Sequence, residues 1–149
     1  MKVLNEMKLT IKALSENEGF ARSTVCAFCV GANLSLDDLT EIKTAVSEAV
    51  TNCVVHAYPN TVGDIKINAK ITSEKIIISI SDEGVGIDDI EKAKEPFYTT
   101  KPNEERSGMG FTVMESFMDK LIIKQNKKNG VTVFMEKNIK LPKFNAQGV

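Results

Sequence analysis

The stretch DIKINAKITSEKIIISIS, residues Asp64–Ser81, reads as two strands joined by a turn. Ile65, Ile67, Ala69 and Ile71 alternate with polar residues, the pattern of a strand with one solvated or helix-covered face. Thr72-Ser73-Glu74 is a short polar turn. Ile76-Ile77-Ile78 is a continuous β-branched run, which predicts a central strand. Two strands with no helix between them argue against a doubly wound parallel sheet, which needs a helix per crossover.

Upstream, Met7, Leu9, Ile11 and Ala13 alternate as a half-buried strand. Ser15-Glu16-Asn17-Glu18 has the form of a capping box, with Ser15 as N-cap. It predicts a helix carrying Phe20, Ala21, Thr24, Val25 and Phe28 and ending near Gly31. Ser35-Leu36-Asp37-Asp38 predicts a second helix start, with acids where the helix dipole favours them. Leu39, Ile42, Val46, Ala49, Val50 and Cys53 continue it at helical spacing to about His56, before Pro59.

Downstream of Ser81 come a glycine-bearing turn (Asp82–Gly86) and a short helix around Asp88–Lys94. The aperiodic loop Glu95–Ser107 is long enough to be a lid or binding loop. A helix follows over Gly108–Lys120, then a hairpin of Leu121–Gln125 and Val131–Lys137 whose Asn129-Gly130 suits positive φ. The expected fold is α+β: a two-layer α/β sandwich, its mixed and mostly antiparallel sheet covered by helices on one face.

A chain of 149 residues is the size of one domain. The expected division is a domain over 1–140 and a loose tail over 141–149. Nineteen Lys and Arg against twenty Asp and Glu give a net charge of −1, which supplies no global attraction for nucleic acid or an acidic membrane. No apolar run approaches a membrane span, and the N-terminus has no continuous apolar leader. A cytoplasmic protein is expected. Cys26, Cys29 and Cys53 are odd in number, and Cys26-x-x-Cys29 lacks a second ligand pair, so all three are expected to be buried structural thiols.

Three features carry possible chemistry. Glu48, Asn52 and His56 fall four residues apart on an otherwise apolar helix. They form either the exposed face of an amphipathic helix or a site: a carboxylate able to act as base beside an amide oxygen able to ligate a hard cation. Asp82-Glu83-Gly84-Val85-Gly86 follows an apolar strand and is either a plain turn or a place where backbone approaches a ligand closely. Ser107-Gly108-Met109-Gly110-Phe111 opens a helix, where free N–H groups suit phosphate. Lys101 and Arg106 on the preceding loop would add charge there, or else are simply solvated.

In this order, E-x-x-x-N-x-x-x-H, D-x-G-x-G, a lid and G-x-G-F resemble the GHKL ATPase/kinase superfamily over roughly Thr40 to Lys120. That group is built on the Bergerat fold. The stretches LTEIKTAVSEAVTN (Leu39–Asn52) and TTKPNEERSGMGF (Thr99–Phe111) further resemble bacterial sporulation anti-sigma factors of the F type, with similarity from about Asn5 to Ile139. Two positions depart from that family's common forms: Cys53 stands where Ala is frequent, and Ala57 where Gly is frequent.

The resemblance implies a serine-protein kinase that binds and inhibits a sigma factor, phosphorylates a serine of an anti-anti-sigma partner and acts as a homodimer. It implies Mg²⁺ on Asn52, Glu48 as the catalytic base, and Asp82 as acceptor for the adenine amino group with Gly84 and Gly86 beside it. It places Ser107, Gly108, Met109 and Gly110 at the ATP phosphates, with Thr99, Thr100, Lys101 and Arg106 closing from the lid. Arg22, expected to be exposed on the first helix, is a candidate contact for a partner's acid. The alternative is an ATP-dependent anti-sigma module that transfers nothing, in which Glu48 would have no role as base. A histidine-directed kinase lacks support, since His56, the sole histidine, sits inside the second helix.

Overall fold

The computed structural model describes residues 2–95 and 110–139. Thr99, Thr100, Lys101, Arg106, Ser107, Gly108 and Met109 lie outside the described residues, as does the expected tail 141–149. The elements run β1 (Val3–Lys12), α1 (Asn17–Cys29), α2 (Leu36–Asn52), a π-helical turn (Cys53–Ala57), β2 (Asp64–Thr72), β3 (Lys75–Asp82), α3 (Ile90–Ala93), α4 (Gly110–Phe117), β4 (Lys120–Gln125) and β5 (Val131–Asn138). The five strands form one sheet in the order β1-β2-β3-β5-β4. Every pairing is antiparallel, so the sheet is not mixed. The isoleucine-rich β3 is the central strand, as its composition predicts.

The core lies between one sheet face and the helices. Ile65, Ile67, Ala69 and Ile71 of β2, Ile76, Ile78 and Ile80 of β3, and Val131, Val133 and Met135 of β5 all point to it. Against them pack Ala21, Val25 and Cys29 of α1, Ile42, Val46, Ala49 and Val50 of α2, and Met114 of α4. Although β3 is continuously β-branched at its start, its burial alternates: Ile76 and Ile78 are buried and Ile77 is half-buried. The opposite face has no helical cover from these elements, and Lys66, Lys70 and Lys75 there pair with Glu83, Glu6 and Glu136.

Several local expectations shift. β1 starts at Val3 rather than Met7, because β2 offers backbone partners along its whole length; Val3 pairs with Thr72 across a register shift. Val3 and Leu4 protrude from the core, so hydrophobic alternation does not mark them. The capping box does not form. Asn17 and Glu18 donate their N–H groups to the carbonyls of Leu14 and Ser15, which leaves Ser15 no orphan donor to satisfy. Glu16 is the N-cap, without a side-chain cap bond. Phe20 of this helix is 54% exposed. Ser35 does cap α2, accepting from Asp38 N–H at 3.0 Å. α4 ends at Phe117 instead of Lys120, since Asp119 N–H already donates to Glu136 of β5 and starts the next strand.

Lys137 joins the two layers. Its side chain is 4% exposed, and its ammonium meets Glu41 at 3.0 Å, Asp38 at 3.7 Å and the carbonyl of Phe117. It thereby ties β5 to the first half of α2 and to the end of α4. Lys137→Met would leave Asp38 and Glu41 without their cation, and breaking such a buried pair costs on the order of 3 kcal/mol. Urea denaturation should show a lowered midpoint with an unchanged slope; a variant as stable as wild type would remove this role.

Candidate functional site

The site is built where the end of α2 meets the exit of β3. Glu48 and Asn52 lie one turn apart on α2, and both are half-buried. The start of α4 comes directly against them. A Cβ on Gly110 would stand 3.3 Å from Glu48 Oε2 and 3.3 Å from both amide atoms of Asn52, so glycine lets the helix start close in. The α-helical spacing stops at Asn52. His56 falls in the π turn, so the pattern that aligned it with Glu48 and Asn52 does not extend to it.

The π turn then delivers its last carbonyl to the next segment. Ala57 C=O accepts from Val85 N–H at 2.9 Å. A Cβ on Gly84 would lie 2.0 Å from that oxygen, an impossible approach, so only glycine fits there. Gly86 has φ +81, in the left-handed region, beside the Gln125 side chain of β4. The Asp82–Gly86 segment is therefore a turn held against helix and sheet.

Asp82 is buried at the last position of β3. Its Oδ1 accepts from Gly84 N–H at 3.0 Å and from Val131 N–H at 3.3 Å. Its Oδ2 faces the Cys53 thiol at 3.6 Å. Burial pushes the Asp82 carboxyl above its ordinary value, and the three donors partly oppose that. Burial likewise pushes the Cys53 thiol well up, with the nearby Asp82 charge acting in the same direction.

Three further residues support the site through contacts that no local pattern in the sequence encodes. The Tyr58 hydroxyl donates to Asp64 C=O and accepts from Glu83 N–H, each at 2.7 Å, and so clamps the turn after Asp82 to the start of β2. Gly130 has φ +89, and a Cβ there would meet the Asp82 carbonyl at 2.1 Å. The Asn-Gly pattern predicted its φ but not this contact. Asn126 donates to the same Asp82 carbonyl at 3.0 Å and accepts from Thr132 at 2.7 Å.

Arg22 is not freely exposed as expected. It is half-buried on α1, with Glu18 at 3.5 Å one helical turn away. Among the described residues no group of three or more His, Cys, Asp or Glu forms a metal cage. An apolar groove of about 400 Å³, lined by Leu4, Val30, Ile71 and Ile139 among others, lies at the far end of the sheet and includes none of the predicted site residues. No described helix is long and apolar enough to cross a membrane.

These features agree with what the chain is similar to. The family described as the histidine kinase-like ATPase domain matches residues 11–137. An anti-sigma F factor of Geobacillus kaustophilus is 52% identical over 136 residues, covering 91% of this chain and 93% of that protein. One from a Thermoanaerobacter species is 49% identical over 139 residues, covering 93% and 97%. Among solved structures, the RsbU and RsbW domains of a Mycobacterium tuberculosis protein superpose with a TM-score of 0.69 at 18% identity. This chain is 93% covered there but spans about a third, 33%, of that longer chain. The catalytic domain of histidine kinase ThkA superposes with a TM-score of 0.56 at 23% identity, covering 91% of this chain and 98% of that one. The two likenesses show a shared fold, and the two close sequence matches go further: the chain belongs to the anti-sigma F factor family and carries a histidine kinase-like ATPase domain.

Proposed function

We propose that this chain is a cytoplasmic anti-sigma factor that binds Mg-ATP, inhibits a sporulation sigma factor and phosphorylates a serine of an anti-anti-sigma partner, working as a homodimer. The observation that carries the enzymatic part is the meeting of Glu48, Asn52 and the α4 N-terminus within van der Waals reach. A base, a cation-ligating amide and the positive end of a helix are the parts phosphoryl transfer requires. The match to the ATPase-domain family and the names of the relatives support the nucleotide and the sigma factor respectively.

The donor set suits Mg²⁺. This ion usually keeps several waters and is held by one or two protein oxygens together with substrate phosphates, so an all-protein cage is not needed. Asn52 would hold it through its amide oxygen, and the bound ion would neutralise charge on the phosphates. Glu48 is on the same rigid helix one turn away, where a carboxylate can take the proton of an incoming serine hydroxyl as its oxygen bonds the γ-phosphorus and ADP leaves. Asp82 offers an acceptor to the adenine amino group, and the glycines at 84 and 86 let the base approach backbone. Gly110 starts α4 at the phosphates, with Ser107, Gly108 and Met109 before it. Thr99, Thr100, Lys101 and Arg106 would complete the phosphate contacts from the lid.

Partner binding is assigned to α1. Phe20 is exposed there, and Arg22 lies two residues on, half-buried beside Glu18. An apolar side chain flanking a cation suits an acidic protein surface.

Three outcomes are expected. Glu48→Gln should keep ATP affinity while transfer of labelled phosphate to a partner serine falls on the order of 10²–10⁴-fold. Transfer at the normal rate would end the assignment of the base, and ATP binding with no transfer in wild type would favour a module that only binds. Asp82→Asn preserves an oxygen for the two backbone donors, so the fold should survive while ATP affinity by calorimetry falls about tenfold or more. Arg22→Ala should weaken binding of a sigma factor or anti-anti-sigma partner without changing ATP affinity; full affinity for both would remove α1 from the docking surface.

A further inference from the structure

A carboxylate has about four acceptor positions, two on each oxygen. At Asp82 the two on Oδ1 are taken by the N–H groups of Gly84 and Val131. Oδ2 meets the Cys53 thiol at 3.6 Å, and both side chains are buried, Cys53 at 5% and Asp82 at 7% exposure. An ionised carboxylate only accepts, so the hydrogen at this contact belongs to the thiol. It therefore acts as a donor. The Tyr58 hydroxyl, the other titratable group that feels the Asp82 charge, is committed to Asp64 and Glu83.

We infer that Cys53 is a positioning residue for base recognition: its S–H holds Asp82 Oδ2 in place and leaves that oxygen one acceptor position for the exocyclic amino group of a 6-aminopurine nucleotide. The inference rests on the reading of Asp82 as the adenine acceptor. A thiol suits this task because it is a weak donor. It fixes the rotation of the carboxyl group without competing strongly for the charge that the ligand must share. It comes from the first residue of the π turn, whose last residue fixes Gly84 and Val85. The same turn thus sets both the carboxylate and the glycine segment beside it. An alanine at this position would supply no donor, and a serine would supply a stronger one that requires a closer approach to the carboxylate.

The test has two arms on the full-length chain. The first is infrared spectroscopy of the S–H stretch of Cys53, identified as the band lost in Cys53→Ala or Cys53→Ser. A hydrogen-bonded position, lowered and intensified relative to a free thiol, is expected. A free-thiol position overturns the inference whatever the nucleotide data show. The second arm measures ATP and inosine triphosphate affinity for wild type, Cys53→Ala, Cys53→Ser and Cys53→Val, with thermal midpoints to verify folding. Inosine triphosphate lacks the amino group. Cys53→Ala should lower the preference for ATP about three- to tenfold, the worth of one hydrogen bond. Cys53→Ser should restore the preference, and Cys53→Val should not. Restoration by Val and not by Ser would make Cys53 a packing residue and overturn the inference. Equal wild-type affinity for the two nucleotides would instead refute Asp82 as the adenine acceptor, with the S–H band still hydrogen-bonded, and the inference would fall with that reading.

Discussion

The carbonyl of Ala57 and the backbone of Gly84 and Val85 form the joint on which the site depends. Val85 N–H donates to that carbonyl at 2.9 Å, and a side chain on Gly84 would occupy the same space. Through this contact the end of the long helix α2 is registered on the exit of the central strand. Asn52, Cys53 and Asp82 lie within five residues of one partner or the other, and Glu48 is one helical turn before Asn52. A π turn makes the joint by changing the pitch of the helix just past Asn52. Such turns commonly occur at functional sites because they redirect backbone groups that regular α-helix would commit internally.

The fold supplies a rigid frame for that joint and spends few buried polar groups elsewhere. The apolar layer between sheet and helices is made of buried aliphatic residues, methionine and cysteine, with the aliphatics of β2, β3 and β5 on one side. Among the described residues three buried charged side chains interrupt the pattern: Asp38, Asp82 and Lys137. Lys137 is matched by two carboxylates and a carbonyl and serves to hold the layers in register. Among the described residues, Asp82 is satisfied by two backbone N–H groups and a thiol. A carboxylate kept in place by neutral donors retains acceptor capacity, which is what a binding group needs and a structural ion pair lacks.

Much of the architecture was legible from patterns that depend on near neighbours. The alternation over Ile65–Ile71, the β-branched run at Ile76, the Ser35 cap and the Asn129-Gly130 turn each reflect a local physical preference, and each stands in the structure. The misses share a cause. Ser15 fails as a cap because Leu14 and Ser15 carbonyls take the N–H groups first. β1 extends to Val3 because β2 supplies partners. α4 stops at Phe117 because β5 captures Asp119. In every case a group distant in sequence, or a competing acceptor, decides where a local pattern ends.

The sequence by itself determined the strand and helix order, the one-sided core, and the kinship on which the proposed roles of Glu48, Asn52 and Asp82 rest. Side-chain type and spacing carry that information along the chain. Only the tertiary structure decided which groups surround those residues. It brought Gly110 against Glu48 and Asn52, set Tyr58 across the turn after Asp82, fitted Gly130 beneath the Asp82 carbonyl and aimed the Cys53 thiol at its carboxylate. These contacts join residues 25 to 62 positions apart, and close approach between such residues depends on how layers pack and not on any period in the chain.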